Sequence, residues 1–149
     1  MRKGFSLVEL VIVACIIGIL AALVVPLVQG QATDAKTAAA KDNLRILRST
    51  IGLYAANNGG IPPGYEDNRR SGAVDETFFR DQTVVFANYM RRIPENPFNN
   101  LDTILMVGNG QTFPSEATGD YGWVYQPSTQ IIRVDWPGTD EDGVRYFDF

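Results

Sequence analysis

One long apolar run, Phe5 to Val28, limits what this chain can be more than any other feature. It follows a short basic leader, Met1 to Gly4, and within it only Ser6 and Glu9 are polar. About 20 apolar residues suffice for a helix to cross the hydrocarbon core of a bilayer. The run is therefore expected to be a membrane-spanning helix, and the carboxylate of Glu9 just inside it demands an explanation of its own.

The remainder of the chain has room for one modest globular domain. Of its 149 residues 45% are hydrophobic, but the first thirty positions hold much of that share, and the rest is rich in Asn, Gly, Asp and Pro. A net charge of −4 makes neither nucleic acid nor an anionic lipid surface a natural electrostatic partner. His is absent, which removes the commonest general base and the commonest metal ligand. Cys15, the single cysteine, lies in the apolar run. It can form no intrachain disulfide, and it reads as a small apolar residue because a thiolate is poorly stabilised in lipid. Glu66, Asp67, Asp75, Glu76 and Asp81 fall in a segment that nothing in the sequence gathers into a cleft, so they read as solvated charge. Enzymatic chemistry is not expected.

Three readings of the amino-terminal segment compete. A secretory signal has an apolar stretch of about 7–15 residues before a small-residue cleavage site, whereas this run continues past Ala21-Ala22. A plain signal anchor fits the length, with Arg2 and Lys3 holding the amino end in the cytoplasm. The Phe, Leu, Ile and Val residues outweigh the roughly +3 kcal/mol of one acid even at mid-helix. That reading gives no reason for Glu9.

The stretch Lys3-Gly4-Phe5-Ser6-Leu7-Val8-Glu9-Leu10 resembles the class III signal of type IV pilins and type II secretion pseudopilins. The resemblance implies that a prepilin peptidase cuts between Gly4 and Phe5 and methylates the new amino group of Phe5. It also implies that Glu9 pairs with that amino group, on its own chain or a neighbour's, and so sets the register of a subunit entering a filament. A buried charge in an apolar medium is costly unless paired, and a first-turn anion is favoured by the helix dipole. Gly18 and Pro26 fall where the family often has helix-weakening residues. Pro26 lacks an N–H and frees the carbonyl of Ala22, which predicts a kink or a local melting. The implied setting is a bacterial inner membrane, with the carboxyl-terminal domain in the periplasm. The implied partners are membrane lipid, the prepilin peptidase, an inner-membrane assembly platform, minor pseudopilins and further copies of the chain in a homo-oligomeric filament.

Helical periodicity continues beyond Gln29. Ala32, Ala35, Ala39, Leu44, Leu47, Ile51 and Tyr54 recur mostly at three- and four-residue spacing, small first and bulky later. Asn57-Asn58-Gly59-Gly60 is a helix stop and Pro62-Pro63 forbids continuation. One helix from Phe5 to Asn57 would be roughly 80 Å long. The expected organisation is a leader over 1–4, a membrane and filament-core helix over 5–28, an amphipathic continuation over 29–58 and a small periplasmic domain over 59–149.

Within that domain 61–81 reads as a connecting loop. Thr83–Arg92 reads as a short helix, with Val84, Phe86 and Met90 or Val85 and Tyr89 turned inward. Ile93 to Asn100 resembles the "leucine-proline-x-aspartate-proline-tryptophan-glycine" turn of major pseudopilins, with Ile93, Asn96, Phe98 and Asn99 as departures. The period then changes to two. Strands are predicted over Asp102–Val107, around Tyr121, Trp123 and Tyr125, over Gln130–Trp136, and over Val144–Phe149. The Gly122-to-Ile132 pattern is similar to the terminal hairpin of pseudopilin-like proteins, with Gln130 in place of their usual Gly. The fold expected is α+β, a pilin-like lollipop whose antiparallel sheet packs on the second half of the helix.

Asp135, Asp140 and Asp142, with Glu141, sit around Gly138 and Gly143. Carboxylates on a glycine-rich loop can bind Ca²⁺, and major pseudopilins carry a structural Ca²⁺ in a similar place, although a solvated acidic turn accounts for the same residues. A type II secretion pseudopilin is favoured by the proline turn and terminal hairpin. A type IV pilus pilin for adhesion, motility or DNA uptake is the near alternative, and a membrane-tethered binding module that never polymerises is the alternative of another class.

Overall fold

The computed structural model describes residues 6–86 and 88–149, and within the first helix the side chains of 23–31 lie outside that description. Two compact units divide the chain, 1–35 and 36–149. Helix α1 runs over Leu7–Asn57. It stops where the sequence predicts, because Asn58 and Gly60 donate back to the Ala55 carbonyl at 3.2 and 2.8 Å. Gly59 and Gly60 take left-handed φ values of 64° and 82°, the usual way to close a helix.

In the second unit the end of α1 supplies one wall of the core. Ala40, Leu44, Leu47 and Ile51 are buried at helical spacing. They pack with Phe79, Ile93, Ile104, Trp123, Tyr125, Ile132 and Val134. The bulky half of the amphipathic stripe therefore packs on the sheet, as expected. Strands β1 (Ile104–Met106), β2 (Trp123–Gln126) and β3 (Ile131–Val134) form one sheet in that order. Val124, Val107 and Phe147 make a second, smaller cluster, so the central strand is buried throughout.

The sheet is mixed, which corrects the antiparallel expectation. β2 and β3 form the predicted antiparallel hairpin, with Trp123 opposite Val134 and Tyr125 opposite Ile132. Gln130, in its turn, sits at φ 58°, a left-handed position that glycine occupies without steric cost. β1, however, pairs parallel with β2, Ile104 opposite Trp123. Gly108-Asn109-Gly110 does end β1, but the chain then travels through 111–122 before re-entering, and a connection of that length permits a parallel crossover. Gly122 is required at the re-entry: a Cβ there would lie 2.2 Å from the Leu101 carbonyl oxygen.

Two further expectations change. The helix predicted over Thr83–Arg92 lies earlier, as α2 (Glu76–Arg80) capped by Asp75, followed by one wide π-turn over Asp81–Val85. Hydrogen bonding from Thr77 holds the Asp75 carboxyl below its ordinary pKa. Helix cannot continue because the Thr83 carbonyl accepts from both Tyr89 and Met90, at 3.0 and 3.2 Å. Val84 and Met90 pack on the core, but Phe86 points outward, 80% exposed. The final strand predicted over Val144–Phe149 reduces to a single bridge, Thr139 to Arg145, and a 3₁₀ turn over Tyr146–Asp148. Its tight rotation buries the consecutive Tyr146 and Phe147, the first against Phe98 and the second facing Phe113. That is why both faces of the segment look apolar in sequence.

Tyr125 is fully buried, and its hydroxyl has no hydrogen-bond partner among the described residues. Burial pushes its pKa up. Tyr125→Phe should therefore keep or raise stability, by about 1 kcal/mol at most, since it removes only an unpaired buried hydroxyl. Thermal unfolding of the full chain checks this, and a clear loss of stability would contradict it.

Candidate functional site

The start of α1 is built by reciprocal capping. Ser6 precedes the first helical residue, and its N–H donates to Glu9 Oε2 at 2.9 Å. The Ser6 hydroxyl in turn accepts from the Val8 N–H at 3.3 Å. Serine at the cap with glutamate three places on is the capping-box pattern, in which two otherwise orphaned donors are satisfied. Glu9 thus has a structural task before any partner arrives, and Ser6 is the partner that the sequence reading passed over. The signal was present as the S-x-x-E spacing of Ser6 to Glu9.

Every described side chain from 6 to 22 is exposed. The large aliphatic residues among them, Leu7 and Val8 through Leu20, are each at least 50% exposed and occupy all sides of the helix. A helix that is apolar all round is normally covered by lipid or by protein. Gly18 lies in this stretch with open space about its Cα. Gly4 and Phe5 lie outside the described residues, as do the surroundings of Pro26. Among the described residues no helix is long and apolar enough to cross a membrane. The predicted run, Phe5 to Val28, extends beyond the described side chains at both ends.

The acidic cluster resolves into separate tasks. Asp135 is fully buried. Its Oδ1 accepts from the Thr118 N–H at 2.7 Å, and its Oδ2 accepts from the Thr118 hydroxyl at 2.9 Å and the Tyr121 N–H at 3.0 Å. Asp140 Oδ1 accepts from the Asp142 and Val144 N–H groups at 3.1 and 2.9 Å. Its Oδ2 lies 3.6 Å from Lys41 Nζ, an ammonium that also sits 4.2 Å above the centre of the Phe149 ring. No group of three or more His, Cys, Asp or Glu stands close enough to hold a metal among the described residues. The carboxylates of Asp135 and Asp140 thus serve hydrogen bonds within the chain, and that of Asp140 also faces a cation the chain supplies itself.

The proline turn is the hub of the domain. Asn96, fully buried, donates to the carbonyls of Gly122 and Asp135 at 3.0 and 3.4 Å and accepts from the Phe98 N–H. Asn99 donates to Gly119 and Tyr121. The indole of Trp123 donates to the Pro94 carbonyl at 2.8 Å, and Phe98 stacks on Trp136. Asparagine at 96 keeps the acceptor that an aspartate would offer there and adds a donor. Nearby, Asp148 is held below the ordinary carboxylate range by the Arg145 and Arg133 guanidiniums.

No family model and no solved structure matches the chain. Curated relatives do. The type II secretion system core protein G of Aeromonas hydrophila is 29% identical over 112 residues, covering 72% of this chain and 75% of its own length. The core protein G of Pseudomonas aeruginosa is 26% identical over 121 residues, covering 81% and 85%. That of Klebsiella michiganensis is 26% identical over 145 residues, covering 95% and 90%. The pseudopilin resemblance carried by Lys3 to Leu10 therefore extends along most of the chain, and the proteins to which it extends are core protein G of type II secretion systems.

Proposed function

We propose that this chain is a structural subunit of a pseudopilus, the pilus-like filament of a type II secretion system. The observation that carries the reading is the bare helix over 6–22, whose aliphatic side chains face outward on every side. Such a surface requires a covering. Lipid supplies it while the subunit waits in the inner membrane, and the helices of other copies supply it in the filament. The likeness to core protein G supports the secretion setting. A structural rather than catalytic role accords with a chain that has no His.

In this reading residues 1–4 are a leader removed by a prepilin peptidase, Phe5 becomes the methylated first residue, and 59–149 lies in the periplasm. Further partners are the inner-membrane assembly platform and minor pseudopilins. The test is co-expression of the full chain with a prepilin peptidase and mass measurement of the product. The expected product begins at Phe5 and carries one added methyl group on its amino nitrogen. A chain that stays uncut would overturn the assignment and leave an anchored domain.

A further inference from the structure

Helix α1 presents two different flanks beside the core stripe of Leu44, Leu47 and Ile51. At about 100° per residue, Lys41 and Arg48, two turns apart, share one flank. Lys41 holds Asp140 there, and Arg48 donates to the carbonyls of Ile132 and Phe149. Ile46 and Leu53, also two turns apart, share the other flank and lie 41% and 53% exposed. There Ile46 lines two adjoining open clefts, of about 440 and 320 Å³, that share it and Tyr89, and Leu53 lines the second of them. Arg91 stands at the rim and has no ion-pair partner among the described residues.

The tip over 140–144, tied to the first flank by Lys41, has the complementary chemistry. Glu141 and Asp142 are exposed beside Val144, itself 45% exposed. Its backbone is already fixed by Asp140, which receives the Asp142 and Val144 N–H groups, so little ordering is needed on contact. A cleft whose apolar floor is Ile46, Leu53 and Tyr89, with Arg91 beside it and Arg92 already paired to Glu95, and an apolar knob flanked by acids thus lie on different flanks of one domain. A chain cannot bring its own two together, whereas a second copy can. Contact between unlike surfaces is head-to-tail, and when the rotation does not close it generates an open helical array.

We propose that the Ile46–Leu53–Tyr89 cleft receives the Glu141–Val144 tip of a neighbouring copy, with Arg91 facing Glu141 or Asp142. The inference rests on the filament reading and names the contact made by its globular parts. The surfaces are small, so each contact is weak alone and counts when many copies are already aligned.

The full chain with Cys15→Ser, assembled in a host with the secretion machinery, provides the test. Adding Leu53→Cys and Val144→Cys together should give, on oxidation, a ladder of cross-linked multimers, while either cysteine alone should give none. Arg91→Glu and Glu141→Arg should each cut the ladder by about tenfold through like-charge contact, and the two combined should restore it. Filaments seen by microscopy without any ladder would overturn the docking and leave the filament reading intact. Cross-linked dimers from a single cysteine would overturn it too, since they require like surfaces to meet. Absence of filaments from the unaltered chain in the same host would remove the filament reading and the docking together.

Discussion

Glu9→Gln is expected to enter the membrane and lose its leader normally, yet to assemble no filaments, as is Glu9→Ala. Two functions meet at this carboxylate, and the pair of substitutions separates them. In the folded chain Glu9 accepts the Ser6 N–H, a capping bond worth about 1 kcal/mol. Glutamine retains that acceptor, and the capping box tolerates it. If capping were the whole task, the Gln variant would assemble like the parent and only the Ala variant would suffer, mildly. In the proposed function the task is electrostatic. Cutting after Gly4 leaves an amino group at Phe5 at the edge of an apolar run in which Glu9 is the sole carboxylate. An unpaired charge carried into that environment costs several kcal/mol, more than a cap can offset. Loss of assembly in both variants, read as filament yield against equal membrane-bound subunit, is the expected result. Normal filaments from Glu9→Gln would remove the charge-pairing role.

The parts of the fold legible in sequence were those written in local pattern. Leu44, Leu47 and Ile51 mark a core face at helical period, Asn57 to Gly60 mark its end, and Trp123, Tyr125, Ile132 and Val134 mark a hairpin at period two. Each signal depends only on neighbours along the chain. The misreadings turn on connections and hydrogen bonds that hydrophobic spacing does not report. The direction of β1 follows from what 111–122 does between the strands, and no periodicity reports that. Thr83 ends a helical pattern because its carbonyl turns to Tyr89 and Met90, a choice made by local hydrogen-bond competition rather than by hydrophobic spacing. Tyr146 and Phe147 were apolar on both faces because a 3₁₀ turn buries both.

The candidate site was legible in a different way. Glu9 stood out by being a carboxylate in an apolar run, and its capping partner Ser6 could have been read from the same spacing. The Ca²⁺ reading of Asp135, Asp140 and Asp142 rested on composition. Composition does not reveal that Thr118 and Tyr121 return to Asp135, or that Lys41, almost a hundred residues earlier, reaches Asp140.

Asp135→Ala is expected to be the most destabilising single change in the domain outside its apolar core. The side chain is fully buried and its two oxygens accept three hydrogen bonds. Removing them strands the Thr118 and Tyr121 N–H donors. Hydrogen bonds to a charged group contribute about 1.5–3 kcal/mol each, although such losses do not add in full. A net loss of about 3 kcal/mol is expected, or a fall in Tm of roughly 10 °C or more in the full chain. Asp135→Asn discriminates the cause. An amide keeps one acceptor but points its NH₂ group at a donor, either the Thr118 N–H or the Tyr121 N–H, so it should be nearly as damaging as alanine. A chelator added to the parent chain should leave Tm unchanged, because the oxygens that a cation would need already serve the backbone of 118–121. Were a chelator to reproduce the alanine effect, Asp135 would be a metal ligand rather than an anchor for the backbone of 118–121.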